Sequence, residues 1–153
     1  MSGFLKNKKI LLGVCGSIAA YKSAILTRLL IQEGAEVKVI MTSAATAFVQ
    51  PLTFATLSKN ECLSSYTRNE GHLWNNHVDL SLWADVFLIA PATVGSIAKM
   101  AHAICDNLLI GTYLSARCPI VIAPAMDEDM YHHAANQENL QNLSGFGNHI
   151  ISV

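Results

Sequence analysis

Two sets of residues in this chain have the chemistry of a site. The first is a histidine, His77, in the stretch NNHVDLSLWAD. An imidazole titrates near neutral pH, so it can serve as a general base or hold a carboxylate; the plainer reading is a surface histidine on a loop. The second is a series of small, hydroxyl-rich corners. In ILLGVCGSIAAYK, Ile10 to Lys22, a run of branched apolar residues stops at Gly16-Ser17 and passes into a helical pattern. A strand that turns straight into a helix exposes the first N–H groups of that helix. Those groups lack intrahelical partners and carry the positive end of the helix dipole. Phosphate is the commonest ligand of such a corner.

Three further corners follow apolar segments: Thr42-Ser43-Ala44, Pro91-Ala92-Thr93-Val94-Gly95-Ser96 and Pro124-Ala125-Met126-Asp127. Serine is also an ordinary helix cap, so one corner by itself says little. Several on one rim point to a phosphorylated, planar cofactor. The first corner lacks the G-x-G-x-x-G fingerprint and the P-loop pattern, and no acidic residue ends the second apolar run to hold a ribose. That disfavours NAD and ATP and leaves a mononucleotide such as FMN as the better fit. In PAMDEDMY, Asp127 can cap a helix with Glu128 and Asp129 in its first turn, or face a substrate, with Ala125 and Met126 against a cofactor. Met130 and Tyr131 read as helix packing. His102 and Cys105 stand three apart with no second pair, and His132-His133 is isolated, so no metal site is expected.

The elements that must carry these corners alternate. Lys9–Val14, Val37–Met41, Val86–Ala90, Pro119–Ala123 and His149–Val153 read as strands. Helical patterns cover Ser17–Glu33, Ala44–Phe48, Pro51–Leu57, Ser96–Ala103, Asn107–Ser115 and Gln137–Ser144. The first helix has Ile18, Tyr21, Ile25, Leu29 and Leu30 near a 3.6-residue period, and Gly34 closes it. Lys59–Asn76 is polar and reads as a mobile loop. Apolar strands alternating with helices predict an α/β fold with a parallel sheet covered on both faces. Ligands of such sheets bind beyond the carboxyl ends of the strands. Hydrophobic residues make up 52% of the 153 and charged residues 14%, which implies strands buried on both faces or burial in an oligomer. A net charge of −1 gives no electrostatic case for nucleic acid. The short apolar run behind the basic N-terminus is neither a signal peptide nor a membrane span. Cys15, Cys62, Cys105 and Cys118 show no metal spacing and read as reduced thiols of a cytoplasmic protein.

Taken together, GSIAAYK, HVDLSLWAD, APATVGSIAKMAHAICDNLL and PAMDEDMY resemble the homo-oligomeric flavin-containing cysteine decarboxylases. The resemblance runs from about Lys8 to the end. It implies one domain over 1–153 with a three-layer Rossmann-like (flavodoxin-like) parallel sheet and helices on both faces. It also implies FMN held by Gly16, Ser17 and Ile18, by Thr42 and Ser43, and by Thr93, Val94, Gly95 and Ser96, with Ala125 and Met126 beside the flavin. His77 matches the catalytic histidine. Asp127 falls where these proteins have a substrate-binding asparagine. The implied reaction is loss of CO2 from the cysteine moiety of 4'-phosphopantothenoylcysteine, giving phosphopantetheine in coenzyme A synthesis. In that scheme a cysteinyl thiol is oxidised to a thioaldehyde, decarboxylates to an enethiolate and is then reduced and protonated. The implied partners are copies of the same chain, as a trimer or a larger assembly of trimers, and a fused or separate synthetase.

Three departures from the pattern bear on this. Asp127 replaces the asparagine, and an ionised carboxylate cannot donate a hydrogen bond to a substrate carboxylate. Gly95 replaces another asparagine and removes a side-chain contact. No cysteine here matches the one that protonates the enethiolate, so the sequence reads as a chain cut before the substrate flap. Alternatives with the same motifs are a peptidyl-cysteine decarboxylase of lantibiotic type and a non-catalytic FMN-binding regulatory oligomer. A flavin prenyltransferase fits less well, because its opening differs from Val14-Cys15-Gly16-Ser17.

Overall fold

The computed structural model describes residues 3–68, 71 and 73–153. Five strands form one parallel sheet: β1 (Lys9–Val14), β2 (Glu36–Met41), β5 (Val86–Ala92), β6 (Ile120–Pro124) and β7 (His149–Ile150), in the order β2-β1-β5-β6-β7. Successive side chains of a strand point to opposite faces, so strands that are apolar throughout need cover on both. Leu11, Phe87, Ile89 and Ile122 face one layer of helices. That layer contains α3 (His77–Trp83), α4 (Val94–His102), α5 (Leu108–Ser115) and α7 (Ala134–Gly145). Ile10, Leu12, Val14, Val37, Val39 and Met41 face the other layer, formed by α1 (Ala20–Gln32) and α2 (Pro51–Ser58). The three-layer parallel sheet expected from the sequence is therefore present, with the strand ends aligned by register. Val14 pairs with Met41, and Cys15 N donates to Pro91 O at 3.1 Å.

The structure corrects several sequence-based expectations. The first helix starts at Ala20 rather than Ser17. Ser17 Oγ accepts the Ala19 N–H at 3.1 Å, and Ser17 O accepts the Ala20 N–H at 2.9 Å. The corner is thus a tight turn before the helix, because a serine side chain competes for local N–H groups. The apolar period of α1 marks a helix, but its stripe faces outward: Ile18 is 81% exposed, and Tyr21, Ile25 and Leu29 are 52–56% exposed. The inward face carries Ala20, Ser23 and Thr27. Ser23 Oγ donates to Ala90 O at 2.7 Å, so small residues let the helix lie close to the sheet.

Lys59–Asn76 is not a structureless loop. It contains a short antiparallel pair, β3 (Thr67–Arg68) with β4 (Leu73–Trp74), and Leu63 bridges to Ile40. His77 lies at the first position of a helix, α3, where the sequence suggested a loop. Ala44–Ala47 is a 3-10 turn, and α6 (Glu128–His132) is a further short helix.

Gly34 closes α1 as expected. It has φ +94°, and its N–H donates to Ile31 O at 2.9 Å. A Cβ there would lie 3.0 Å from Lys6 Cα. Gly34→Ala should therefore destabilise the fold by about 1–3 kcal/mol. The check is urea unfolding, read as a lower midpoint at unchanged slope.

Candidate functional site

Renumbered within the sheet, the five parallel strands run 2-1-3-4-5, and the chain reverses its direction of winding between β1 and β5. Ligands of doubly wound sheets bind in the crevice at such a switch point. A pocket of about 550 Å3 opens there. Three corners build it. Gly16 comes from the end of β1, Thr42 and Ser43 from the end of β2, and Thr93, Gly95 and Ser96 from the end of β5. Each is placed by a local rule. Gly16 is small because a Cβ would lie 2.5 Å from the Ala44 Cβ and 2.8 Å from its carbonyl carbon. Thr93 caps α4, its Oγ1 accepting the Ser96 N–H at 3.3 Å. The N–H groups of Val94 and Gly95 in the first turn have no helix carbonyl within reach. A Cβ on Gly95 would meet nothing within 4 Å, so the pocket is open at that point. Cys15 lies fully buried behind the corner. Burial pushes its thiol up, partly offset by the Ser96 side chain and the Thr93 backbone.

Lys99, Asp106 and Asn107 also line the pocket, and none was singled out as a site residue from sequence. Lys99 Nζ donates to both Asp106 oxygens, at 3.0 and 2.8 Å. Hydrogen bonding and charge from Lys99 hold the Asp106 carboxyl below its ordinary value. Asn107 caps α5, its Oδ1 accepting the Ile110 N–H at 3.0 Å. The available signal was the spacing of Lys99 from Ser96, one helical turn along the same helix.

The other candidates lie elsewhere on the rim. Ser17, Ile18 and Val94 belong to the corners but do not line the pocket. Ala125 lines a separate trough of about 300 Å3, with Lys22, Ser23, Leu26, Pro91 and Ala123. Its N–H donates to Ala92 O at 3.0 Å, which ties this loop to the end of β5. Met126 packs on the core, and its sulfur accepts from Asn136 Nδ2 at 3.3 Å. Asp127 caps α6, its Oδ1 accepting the Met130 N–H at 2.8 Å, and it is exposed.

His77 stands apart from the pocket lining. Asn76 caps its helix by accepting the Val78 and Asp79 N–H groups at 2.9 and 3.3 Å. Its Nδ1 is buried without a hydrogen-bond partner among the described residues. Around it lie Tyr66 and Trp74. Burial, then the neighbouring Cys105 and Asp106, push the Tyr66 phenol up to about 12. His102 Nε2 bonds Asn139 Oδ1 at 3.0 Å. Among the described residues no group of three or more His, Cys, Asp or Glu could hold a metal.

A family model described as Flavoprotein matches residues 2–153. A "Cysteine/Cysteine sulfinic acid decarboxylase" from an unknown prokaryotic organism is 59% identical over 103 residues, covering 67% of this chain and 29% of that protein. A "Probable phosphopantothenoylcysteine decarboxylase" of Streptococcus mutans (serotype c, strain ATCC 700610 / UA159) is 42% identical over 143 residues, covering 92% of this chain and 80% of that one. The solved structure of the FMN-dependent cysteine decarboxylase SpaF is similar at a TM-score of 0.88 and 34% identity, covering 96% of this chain and 85% of that one. Other relatives are bifunctional proteins of coenzyme A biosynthesis, and the chain spans about a third of their length.

The four cysteines differ in burial, which gives a direct test of the packing around the site. Cys105 is exposed and Cys15 buried, and burial pushes Cys62 up to about 12. An aromatic disulfide reagent at mildly alkaline pH should modify Cys105 first and reach Cys15 and Cys62 only on unfolding. Cys105→Ser should remove the fast phase of that reaction.

Proposed function

The chain belongs to the Flavoprotein family, and on that premise we propose that it binds FMN and decarboxylates the cysteine moiety of phosphopantothenoylcysteine. The observation that carries this is the switch-point pocket, rimmed by Gly16, Thr42, Ser43, Thr93, Gly95 and Ser96. Its residues fit the group. The six rim residues are small and uncharged and four of them carry hydroxyls, the charges of Lys99 and Asp106 in the lining are paired with each other, helix N–H groups are left free for phosphate oxygens, and open space remains at Gly95. Ser17, Ile18 and Val94 complete the same corners, and Ala125 and Met126 supply the neighbouring wall. FMN, when bound, supplies a two-electron sink that is returned within the turnover, so loss of CO2 needs no outside oxidant.

The chain's own residues bind and orient. Hydroxyls and N–H groups at the corners hold the phosphate end. His77 holds the cysteinyl moiety and takes the proton from its thiol. Asp127 meets the substrate at the rim. Its Oδ1 already accepts the Met130 N–H, which fixes the carboxylate and leaves Oδ2 to face a ligand.

A second reading is favoured by one observation, the 59% identity to a protein named for cysteine and cysteine sulfinic acid. On that reading Asp127 pairs with the free ammonium of the amino acid, a partner that a phosphopantothenoyl amide lacks. The four free cysteines accord with a cytoplasmic setting, and among the described residues no helix is long and apolar enough to cross a membrane. The outward apolar stripe of α1 supports self-association, with a trimer as the proposed unit, and the bifunctional relatives support a synthetase as partner.

The first check is the visible spectrum of the purified protein and the mass of any ligand released on unfolding. Flavin bands and the mass of FMN are expected; a colourless protein that takes up no FMN sinks the proposal. His77→Asn should abolish CO2 release while the flavin stays bound, with phosphopantothenoylcysteine and free cysteine assayed in parallel to separate the two readings. Ile25→Lys, in the middle of the stripe, should lower the mass seen by light scattering without loss of helix signal.

A further inference from the structure

We infer that Tyr66, seated in a notch made by Gly111, is the positioning residue of His77. This rests on the proposal that His77 is the working imidazole. The second nitrogen of a catalytic imidazole is ordinarily held by a hydrogen bond, which sets the ring's orientation. Here Nδ1 of His77 is buried with no such partner among the described residues. Ring packing does the holding instead. Tyr66 meets His77 edge-on, with centroids 5.8 Å apart at 88°, and Trp74 does the same at 6.3 Å and 76°. Tyr66 and Trp74 stack on each other at 5.3 Å and 13°. The three rings form one unit, and edge-to-face contacts of this kind have defined geometry.

Tyr66 is in turn fixed by α5. A Cβ on Gly111 would lie 2.1 Å from the Tyr66 hydroxyl oxygen and 3.1 Å from Cζ. The helix therefore has space for that hydroxyl only because residue 111 has no side chain. The hydroxyl lies 3.4 Å from Cys105 Sγ. Buried Asn75 clamps the strand on either side, its N–H donating to Tyr66 O at 2.6 Å and its Nδ2 to Ser65 O at 2.7 Å. The next residue of α5 faces the helix that begins at His77. The single Ser81 hydroxyl proton is shared between Thr112 O at 2.9 Å and His77 O at 2.7 Å. Consecutive residues of α5 thus lie against α3 and against the ring that packs on the imidazole.

The geometry supplies its own suppressor. Gly111→Ala should expel the Tyr66 ring and lower kcat on phosphopantothenoylcysteine by on the order of 10- to 100-fold, with KM little changed and flavin retained. Tyr66→Phe removes the atom at 2.1 Å and leaves only the 3.1 Å approach to Cζ, which a shift of a few tenths of an ångström relieves; alone it should stay within about twofold of wild type in kcat, because the ring that packs on His77 remains. The double variant Gly111→Ala with Tyr66→Phe should regain most of the loss. Tyr66→Leu adds no bulk near α5 and should lower kcat as Gly111→Ala does. A second readout needs no turnover: the ring-proton resonances of His77 in histidine-labelled protein, assigned by their absence in His77→Asn. They should move in Gly111→Ala and Tyr66→Leu and return in the double variant. If that pattern holds while no cysteinyl substrate is consumed, the positioning stands and the proposed reaction fails. Unmoved resonances in Tyr66→Leu, or a double variant no better than Gly111→Ala, would overturn the inference.

Discussion

The approach of Gly16 to Ala44 governs the rest of the site. No side chain fits between the end of β1 and the turn that follows β2, since a Cβ would reach the backbone of Ala44 at 2.8 Å. That closeness brings two corners together, and the Cys15–Pro91 hydrogen bond brings in the third. The pocket is a property of three loops held by sheet register. Its precision is inherited from the strands, whose apolar faces leave them no freedom to slip.

The sequence carried the sheet well because a buried parallel strand is short, apolar and bounded by small residues. All five strands lie where the alternation placed them, and β1 matches to the residue. It carried the orientation of α1 poorly. Periodicity reports that a helix has an apolar side and does not report which side meets the sheet. Ser23 and Thr27, polar by type, are buried because their hydroxyls find carbonyls at Ala90 and Ser23. The hairpin within Lys59–Asn76 was illegible for a related reason. Two-residue strands have no period, and the Tyr66 ring beside them is seated against Gly111 of α5, remote in the chain.

The candidate residues divide in the same way. Gly16, Thr42, Ser43, Thr93, Gly95 and Ser96 were legible because each ends a strand, and strand ends of a parallel sheet converge by topology. Lys99 and Asp106 were not, because their meeting depends on how the segment between α4 and α5 turns back. Tyr66 and Trp74 were not, because no spacing rule links residues before and after an antiparallel turn to a helix start. Asp127 was legible as a helix cap, and its Oδ1 caps α6 by accepting the Met130 N–H.

Lys99 and Asp106 have a consequence for how the pocket selects what enters. They are the charged residues of its lining, and they neutralise each other. The pair adds no net charge to the pocket, so what remains to hold an anion there is the N–H groups, the hydroxyls and the positive ends of helix dipoles, which act at short range. An anion bound there would depend on contact geometry more than on long-range charge, and its affinity would vary only weakly with ionic strength.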